Sequence, residues 1–220
     1  KIDPWRRVKR VVRLADIVVE VVDARVPHLT RCRRVEKLCS RLGKRLVICI
    51  NKADLVPKRV AEAWREVFSA VYPTVCVSSK GRAGVRELRE LLEKLAKEVR
   101  RERRKFVVRV GIVGYPNVGK SSLINALRGK HVAETSPIPG FTRGEKLIRL
   151  ADGLKLLDSP GVLPVRGGST MRMLKSAAPP ETLRDPVPPA IEIVKLAAEK
   201  NPKGFKRLYR INPRRKDPME

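Results

Sequence analysis

Gly114-Tyr-Pro-Asn-Val-Gly119-Lys120-Ser121 has the spacing GxxxxGKS, behind the apolar run 106–113 and ahead of a helical run at 119–128. A strand, a glycine-rich turn and a helix start, in that order, form a phosphate-binding loop. The glycines let the amides of Asn117, Val118, Gly119, Lys120, Ser121 and Ser122 turn towards phosphate oxygens, and the helix start adds its dipole. Lys120 is then placed to reach the β- and γ-phosphates, and the Ser121 hydroxyl to ligate Mg²⁺. A chance glycine-rich turn is the bland alternative, and the flanking strand and helix weigh against it.

Three further groups follow apolar runs. Asn51-Lys52-Ala53-Asp54 comes directly after 45–50. A carboxylate at Asp54 can accept hydrogen bonds from N1–H and the 2-amino group of guanine. Adenine lacks both donors in that arrangement, and an unmet buried carboxylate costs on the order of 10²–10³ in affinity. The Lys52 stem can lie along the base, and Asn51 can tie this loop to the phosphate loop. Ser78, Ser79 and Lys80 follow the run 74–77 and can offer backbone amides to guanine O6. Asp158-Ser-Pro-Gly161 follows 154–157; Asp158 can hold Mg²⁺ through water, and the Gly161 amide can reach a γ-phosphate. Pro139-Gly140-Phe141-Thr142 lies in a loop, where Thr142 can close on Mg²⁺ when a γ-phosphate is present. Singly, the short matches at 51–54 and 78–80 are weak; a phosphate loop in the same chain strengthens both.

The elements that must position these groups alternate. Short β-branched runs at 14–22, 45–50, 74–77, 106–113, 146–150 and 154–157 are interleaved with helical patterns at 31–42, 57–71, 85–104 and 119–128. Near-continuous apolar strands between helices imply an α/β fold, with a mostly parallel sheet covered on both faces. In such sheets ligands sit at the carboxyl ends of strands, where these motifs fall. We expect a basic N-terminal segment over 1–13, a nucleotide domain over 14–167 and a small basic helical region over 168–220, with one helix at 187–200. The charge run 93–105 should end a helix and link two halves of the nucleotide domain.

The chain has 220 residues, 42% of them hydrophobic, enough for a real core. No apolar run is long enough to span a bilayer, and the first residues are basic without the apolar stretch of a secretory leader. The four cysteines (Cys32, Cys39, Cys49, Cys76) show no CxxC spacing, and His28 and His131 are the only histidines. Reduced thiols in a cytoplasmic protein fit better than a metal site. Lys+Arg number 50 against 23 Asp+Glu, a net charge of +27. An ion-pair-laced surface would be near balance, so the excess points to a polyanion, above all nucleic acid. The basic runs 5–13, 31–34, 100–105 and 203–216 would supply phosphate contacts. Aromatics are only 4%, which favours backbone contact over base stacking.

Together, NKAD, SSK, GYPNVGKS, PGFT and DSPG match the five guanine-nucleotide motifs of translation-factor-like small GTPases, with the base motifs placed before the phosphate motifs. With Val22-Asp23-Ala24-Arg25-Val26-Pro27, the chain resembles the circularly permuted GTPases of the YlqF/YawG (RbgA-like) group over about residues 5–163. Lys1-Ile-Asp-Pro-Trp5 stands where bacterial members carry PGHM, which places the resemblance on the archaeal/eukaryotic-like side. The resemblance implies a circularly permuted P-loop GTPase fold and hydrolysis of GTP to GDP and phosphate with Mg²⁺. It further implies nucleotide-switched assembly of the large ribosomal subunit through ribosomal RNA, by a monomer.

Lys120, Asn117, Thr142 and Gly161 would be the catalytic groups. Val162 stands where many GTPases carry a water-orienting Gln, so intrinsic turnover should be slow and stimulated by a ribosomal partner. In related GTPases an Asn at position 117 helps hold K⁺; as a residue it suits a plain turn equally well. The permutation runs the segment after Gly161 straight into the C-terminal region, so a γ-phosphate held by Thr142 and Gly161 should reposition residues from 168 onward. Two alternatives differ in class. A GTPase serving another RNA process, such as tRNA modification, is disfavoured by the motif order. An RNA-binding protein with a vestigial nucleotide site is disfavoured by five complete motifs.

Overall fold

The computed structural model describes residues 4–129, 135–137, 146–158, 160–165 and 185–210. The chain forms two units, Lys1–Pro164 and Val165–Glu220. Eight strands make up the sheet of the first: β1 (Ile17–Asp23), β2 (Arg45–Asn51), β3 (Thr74–Val77), β4 (Val108–Gly114), β5 (Thr135–Pro137), β6 (Lys146–Ala151), β7 (Leu154–Leu157) and β8 (Gly161–Val162). Their order is β3-β2-β1-β4-β7-β6-β5, with β8 also on β4. The pairings β3·β2, β2·β1, β1·β4, β4·β7 and β4·β8 are parallel, and β6 and β5 continue the sheet antiparallel. The α/β fold with a mostly parallel sheet is therefore present.

β1 is buried at all seven positions because both of its faces are covered. Ile17, Val19 and Val21 point into a core shared with α5 (Val85–Arg103) and α6 (Lys120–Arg128). Val18 and Val22 point into a second core shared with α1 (Pro4–Leu14) and α3 (Arg33–Arg41). A period of two along the strand, with a helix layer on either side, turns the whole strand apolar. On α5 the buried residues Val85, Leu88, Leu92, Leu95, Ala96 and Val99 recur at helical spacing. α2 (Pro27–Thr30) and α4 (Lys58–Ser69) complete the helices of this unit among the described residues.

One difference from expectation concerns the first residues. The stretch 1–13, read as a basic segment outside the nucleotide domain, contains α1, which buries Trp5, Val8, Val11 and Val12 within the first unit. Their spacing makes one apolar helical stripe among the arginines, and it draws Leu14 into the helix rather than into β1. Asp16 then marks the strand start, accepting from Lys105 Nζ at 2.7 Å and from the Arg109 amide at 3.0 Å. α1 lies close on β4: a Cβ built at Gly111 would stand 2.8 Å from Val11 Cγ1 and 2.9 Å from Ala15 Cβ.

In the second unit, α7 (Val187–Lys200) falls at the expected helix and is followed by α8 (Pro202–Tyr209). Asn201 caps α8, its Oδ1 accepting from the Gly204 amide at 3.0 Å. No helix among the described residues is long and apolar enough to cross a membrane.

Gly111→Ala should push α1 off the sheet and lower stability by about 1–3 kcal/mol in chemical denaturation, whereas Arg6→Ala on the exposed side of α1 should change it by less than about 0.5 kcal/mol.

Candidate functional site

The parallel register sets Asp23 beside Asn51 and Asn51 beside Val77, so the ends of β1, β2 and β3 are level. Asn51 is the last residue of β2 and is buried. Its Nδ2 donates to the Val118 carbonyl at 2.9 Å, in the loop between β4 and α6. Its Oδ1 accepts from the Ser79 amide at 3.1 Å and from Ser79 Oγ at 2.8 Å, in the loop after β3. One side chain thus joins three of the loops singled out by sequence. Gly119 must be glycine here, because its φ of +95° is left-handed and a Cβ would overlap Asn51 Nδ2.

Two lysines point into the phosphate loop. Lys52 adopts φ 62° and sends its ammonium to Asp23 Oδ2 at 2.8 Å and to the Asn117 carbonyl at 2.5 Å. Asn117 is itself left-handed, at φ 58°. Asparagine tolerates that region better than most residues, which satisfies its turn-forming reading. Lys120 opens α6, is buried, and donates to the Tyr115 carbonyl. Burial, then the nearby Lys52 charge, pushes the Lys120 ammonium down to about 8. Among the described residues this buried cation is held by a neutral carbonyl, and an anion in the loop would supply negative charge.

Asp23 is the residue that motif reading undervalued. It ends β1, and Arg25 reaches it from Nε at 2.9 Å and from its terminal nitrogen at 2.8 Å, beside Lys52. Burial alone would raise its carboxyl, but the hydrogen bonds from Arg25 and Lys52 outweigh burial and hold it below the usual carboxylate range. Its place at the end of a buried strand, level with Asn51, was the signal in the sequence.

Asn51, Lys52, Asp54, Ser79, Lys80 and Gly119 line one cavity of about 330 Å³ that Ser122 also reaches. That is the size of a small-ligand pocket. Asp54 is exposed on the 3-10 turn Ala53–Leu55, and Lys80 is exposed beside it. Ser78 is buried, its Oγ accepting from the Gly81 amide at 3.1 Å, and so shapes its loop. Val118 is buried, whereas Ser121 and Ser122 are exposed at the start of α6. Asp158, at the end of β7, accepts from Arg128 at 3.3 Å. Gly161 lies in β8 opposite Val113, where a Cβ would stand 2.9 Å from Val113 Cγ1. Thr142 and His131 lie outside the described residues, as do 166–184, on which the switch expectation rests.

Beneath the site, Glu20 sits wholly buried in the middle of β1. Its Oε1 accepts from the Cys32 amide at 2.5 Å, and Oε2 has no hydrogen-bond partner among the described residues. Burial pushes its carboxyl up to about 8, against the pull of the Cys32 amide.

A model described as "50S ribosome-binding GTPase" matches residues 109–184, and one described as "Elongation factor Tu GTP binding domain" matches 3–98. An uncharacterized GTP-binding protein of Methanocaldococcus jannaschii is 43% identical over 88% of this chain and 50% of its own length. The nuclear GTP-binding protein NUG1 of Saccharomyces cerevisiae is 33% identical over 93% of this chain and 45% of its own. The chain thus spans half or less of the length of these two curated relatives. The crystal structure of GNP-bound YlqF from T. maritima superposes with a TM-score of 0.64 at 30% identity, covering 89% of this chain and 76% of that one.

Two outcomes test the electrostatics. A phosphate near Lys120 restores its proton, so nucleotide binding at about pH 8 should take up a proton, seen as a calorimetric heat that varies with the buffer's ionisation enthalpy. Affinity should fall by up to about tenfold per pH unit above that point. For Glu20 the raised carboxyl means that stability is lost as pH rises from its ordinary 4.5 through about 8. Glu20→Gln cannot ionise, so its unfolding free energy from urea titration should lack that decline and exceed the wild type by about 1–3 kcal/mol at neutral pH.

Proposed function

The chain belongs to the YlqF-like circularly permuted GTPases, and on that premise we propose that it binds GTP, hydrolyses it to GDP and phosphate, and acts in assembly of the large ribosomal subunit. The observation that carries the reading is the Asn51 side chain, which draws the phosphate loop and the two base-side loops around one cavity.

In this reading Asp54 accepts from the guanine N1–H and 2-amino groups, and Ser79 and Lys80 frame the base edge. Lys52 flanks the base while its ammonium stays on Asp23 and the Asn117 carbonyl. Lys120 trades the Tyr115 carbonyl for β- and γ-phosphate oxygens, supported by the amides of residues 117–122 at the start of α6. The residues fit a Mg²⁺ ion. Ser121 is exposed where α6 begins and Asp158 lies just after β7. Mg²⁺ characteristically takes one or two protein oxygens together with waters and phosphates. Bound there with Ser121, and with Asp158 through water, it would neutralise phosphate charge.

Val162, partly exposed in β8, offers no group to orient water, which supports slow intrinsic turnover. A K⁺ held by Asn117, and a stimulating contact from the ribosomal precursor, belong to the same proposal. The printed descriptions of the matched families and relatives support the ribosomal role.

Asp54→Asn should weaken GTP binding by about 10²-fold and move preference to xanthosine triphosphate, read by competition binding. Unchanged GTP affinity would overturn the guanine assignment.

A further inference from the structure

We propose that the outer faces of α1 and α3 form one continuous surface that binds the phosphate backbone of duplex RNA. The identity of that RNA as ribosomal rests on the assembly reading above; the surface itself does not.

α1 turns Trp5, Val8, Val11 and Val12 inward and leaves Arg6, Arg7, Arg10 and Arg13 exposed. α3 turns Val35, Glu36 and Cys39 inward and leaves Arg33, Arg34, Lys37 and Arg41 exposed. Both helices cover the same face of the sheet, packing into one core. They meet where the Arg34 guanidinium stacks over the Trp5 ring, 4.2 Å from its centroid. On α3, Arg33, Lys37 and Arg41 form a row with steps of about 6 Å along the helix.

Among the described residues, neither helix exposes an acid on this face. α1 contains none, and Glu36, the one acid of α3, is buried and held by Arg31 at 2.5 Å and 2.9 Å. A groove of about 760 Å³ runs along α3, lined by Arg31, Arg33, Arg34, Lys37, Arg41 and Tyr72, with the paired Glu36 beside them. Single-sign charge along a groove raises the local potential and attracts a polyanion.

Another basic run of the first unit is built differently. In 100–105, Arg100 donates to the Asp152 carbonyl, Arg103 to the Gly43 carbonyl, and Lys105 binds Asp16 at 2.7 Å. Those cations hold α5 to the sheet. The α1–α3 face also exposes no large apolar side chain within either helix, whereas a membrane-lying helix inserts one. Among the described residues the one aromatic lining the groove is Tyr72, which favours backbone contact over stacking of single-stranded bases.

The test compares two triple variants of the full chain that remove the same charge. One is Arg33→Gln, Lys37→Gln, Arg41→Gln on α3. The other is Lys94→Gln, Lys97→Gln, Arg101→Gln on the exposed side of α5. Both should keep wild-type affinity for GTP, which confirms folding. On an RNA duplex of about 16 base pairs, the α3 variant should bind at least about tenfold more weakly, with a salt slope shallower by about two to three. The α5 variant should match the wild type. Equal loss in both variants would overturn the proposal, because the charge would then act without a surface. Unchanged RNA binding by the α3 variant, with lost binding to phosphatidylserine vesicles, would overturn it in favour of a membrane. A wild type that binds GTP but no RNA duplex would overturn the surface and leave the GTPase reading standing. RNA binding without GTP binding would do the reverse.

Discussion

Everything at the carboxyl edge of this sheet depends on the carboxamide of Asn51. Only a side chain with a donor and an acceptor on one rigid plane can serve the Val118 carbonyl on one side and the Ser79 amide on the other. An aspartate there would face the Val118 carbonyl with a second acceptor, and a leucine would leave the carbonyl and the amide without their partner, in a buried setting where each such loss costs about 1–3 kcal/mol. The close approach that results also dictates Gly119, since any Cβ would strike the amide. The glycine-rich character of the phosphate loop is therefore partly a consequence of a residue nearly seventy positions earlier.

The same geometry explains how the motifs can appear in permuted order without harm to the site. β3, β2, β1 and β4 lie side by side and parallel, and their register brings the strand ends level. Loops that follow those strands must meet, whatever order the chain visits them in. What the order does change is the connection from α5 to β4, which joins the base-side half to the phosphate-side half. That link is secured by charge: Lys105 and Arg103 both reach Asp16, at the foot of β1.

The motifs at 51–54, 78–80, 114–121 and 158–161 were legible because each stands at the end of an apolar strand, where such sheets bind. The covering layers were less so. In α1 five cations among eleven residues dominate the composition and mask the stripe of Trp5, Val8, Val11 and Val12, which packing into the core of this face makes plain. β8 has two residues and exists through its pairing with Val113 and Gly114, so no local pattern announces it. Glu20 reads as a polar residue tolerated in a strand, yet the α3 layer buries it completely; burial of that kind is set by tertiary structure. Asp23 was visible as part of a family segment, but its grip on Lys52 and Arg25 follows from β1 and β2 ending together. Of the residues that sequence named, Asn51, Lys52, Asp54, Ser79, Lys80, Gly119 and Ser122 line one cavity, while Thr142 lies outside the described residues.

Charge ties these layers to one another. Lys52 and Lys120 are each tethered to a carbonyl of the phosphate loop. Burial, and then the nearby Lys52 charge, depress the proton affinity of Lys120. A similar imbalance recurs on a larger scale over α1 and α3, where exposed arginines repel one another in the free protein. Two guanidinium groups of this region are already held, Arg34 over the Trp5 ring and Arg31, just before α3, over the Phe68 ring. Holding cations in place before a partner arrives lowers the ordering entropy of binding and leaves a repulsion that only an anion relieves. Both surfaces therefore follow one rule: positive charge is concentrated and fixed where the ligand is expected to bring the negative charge.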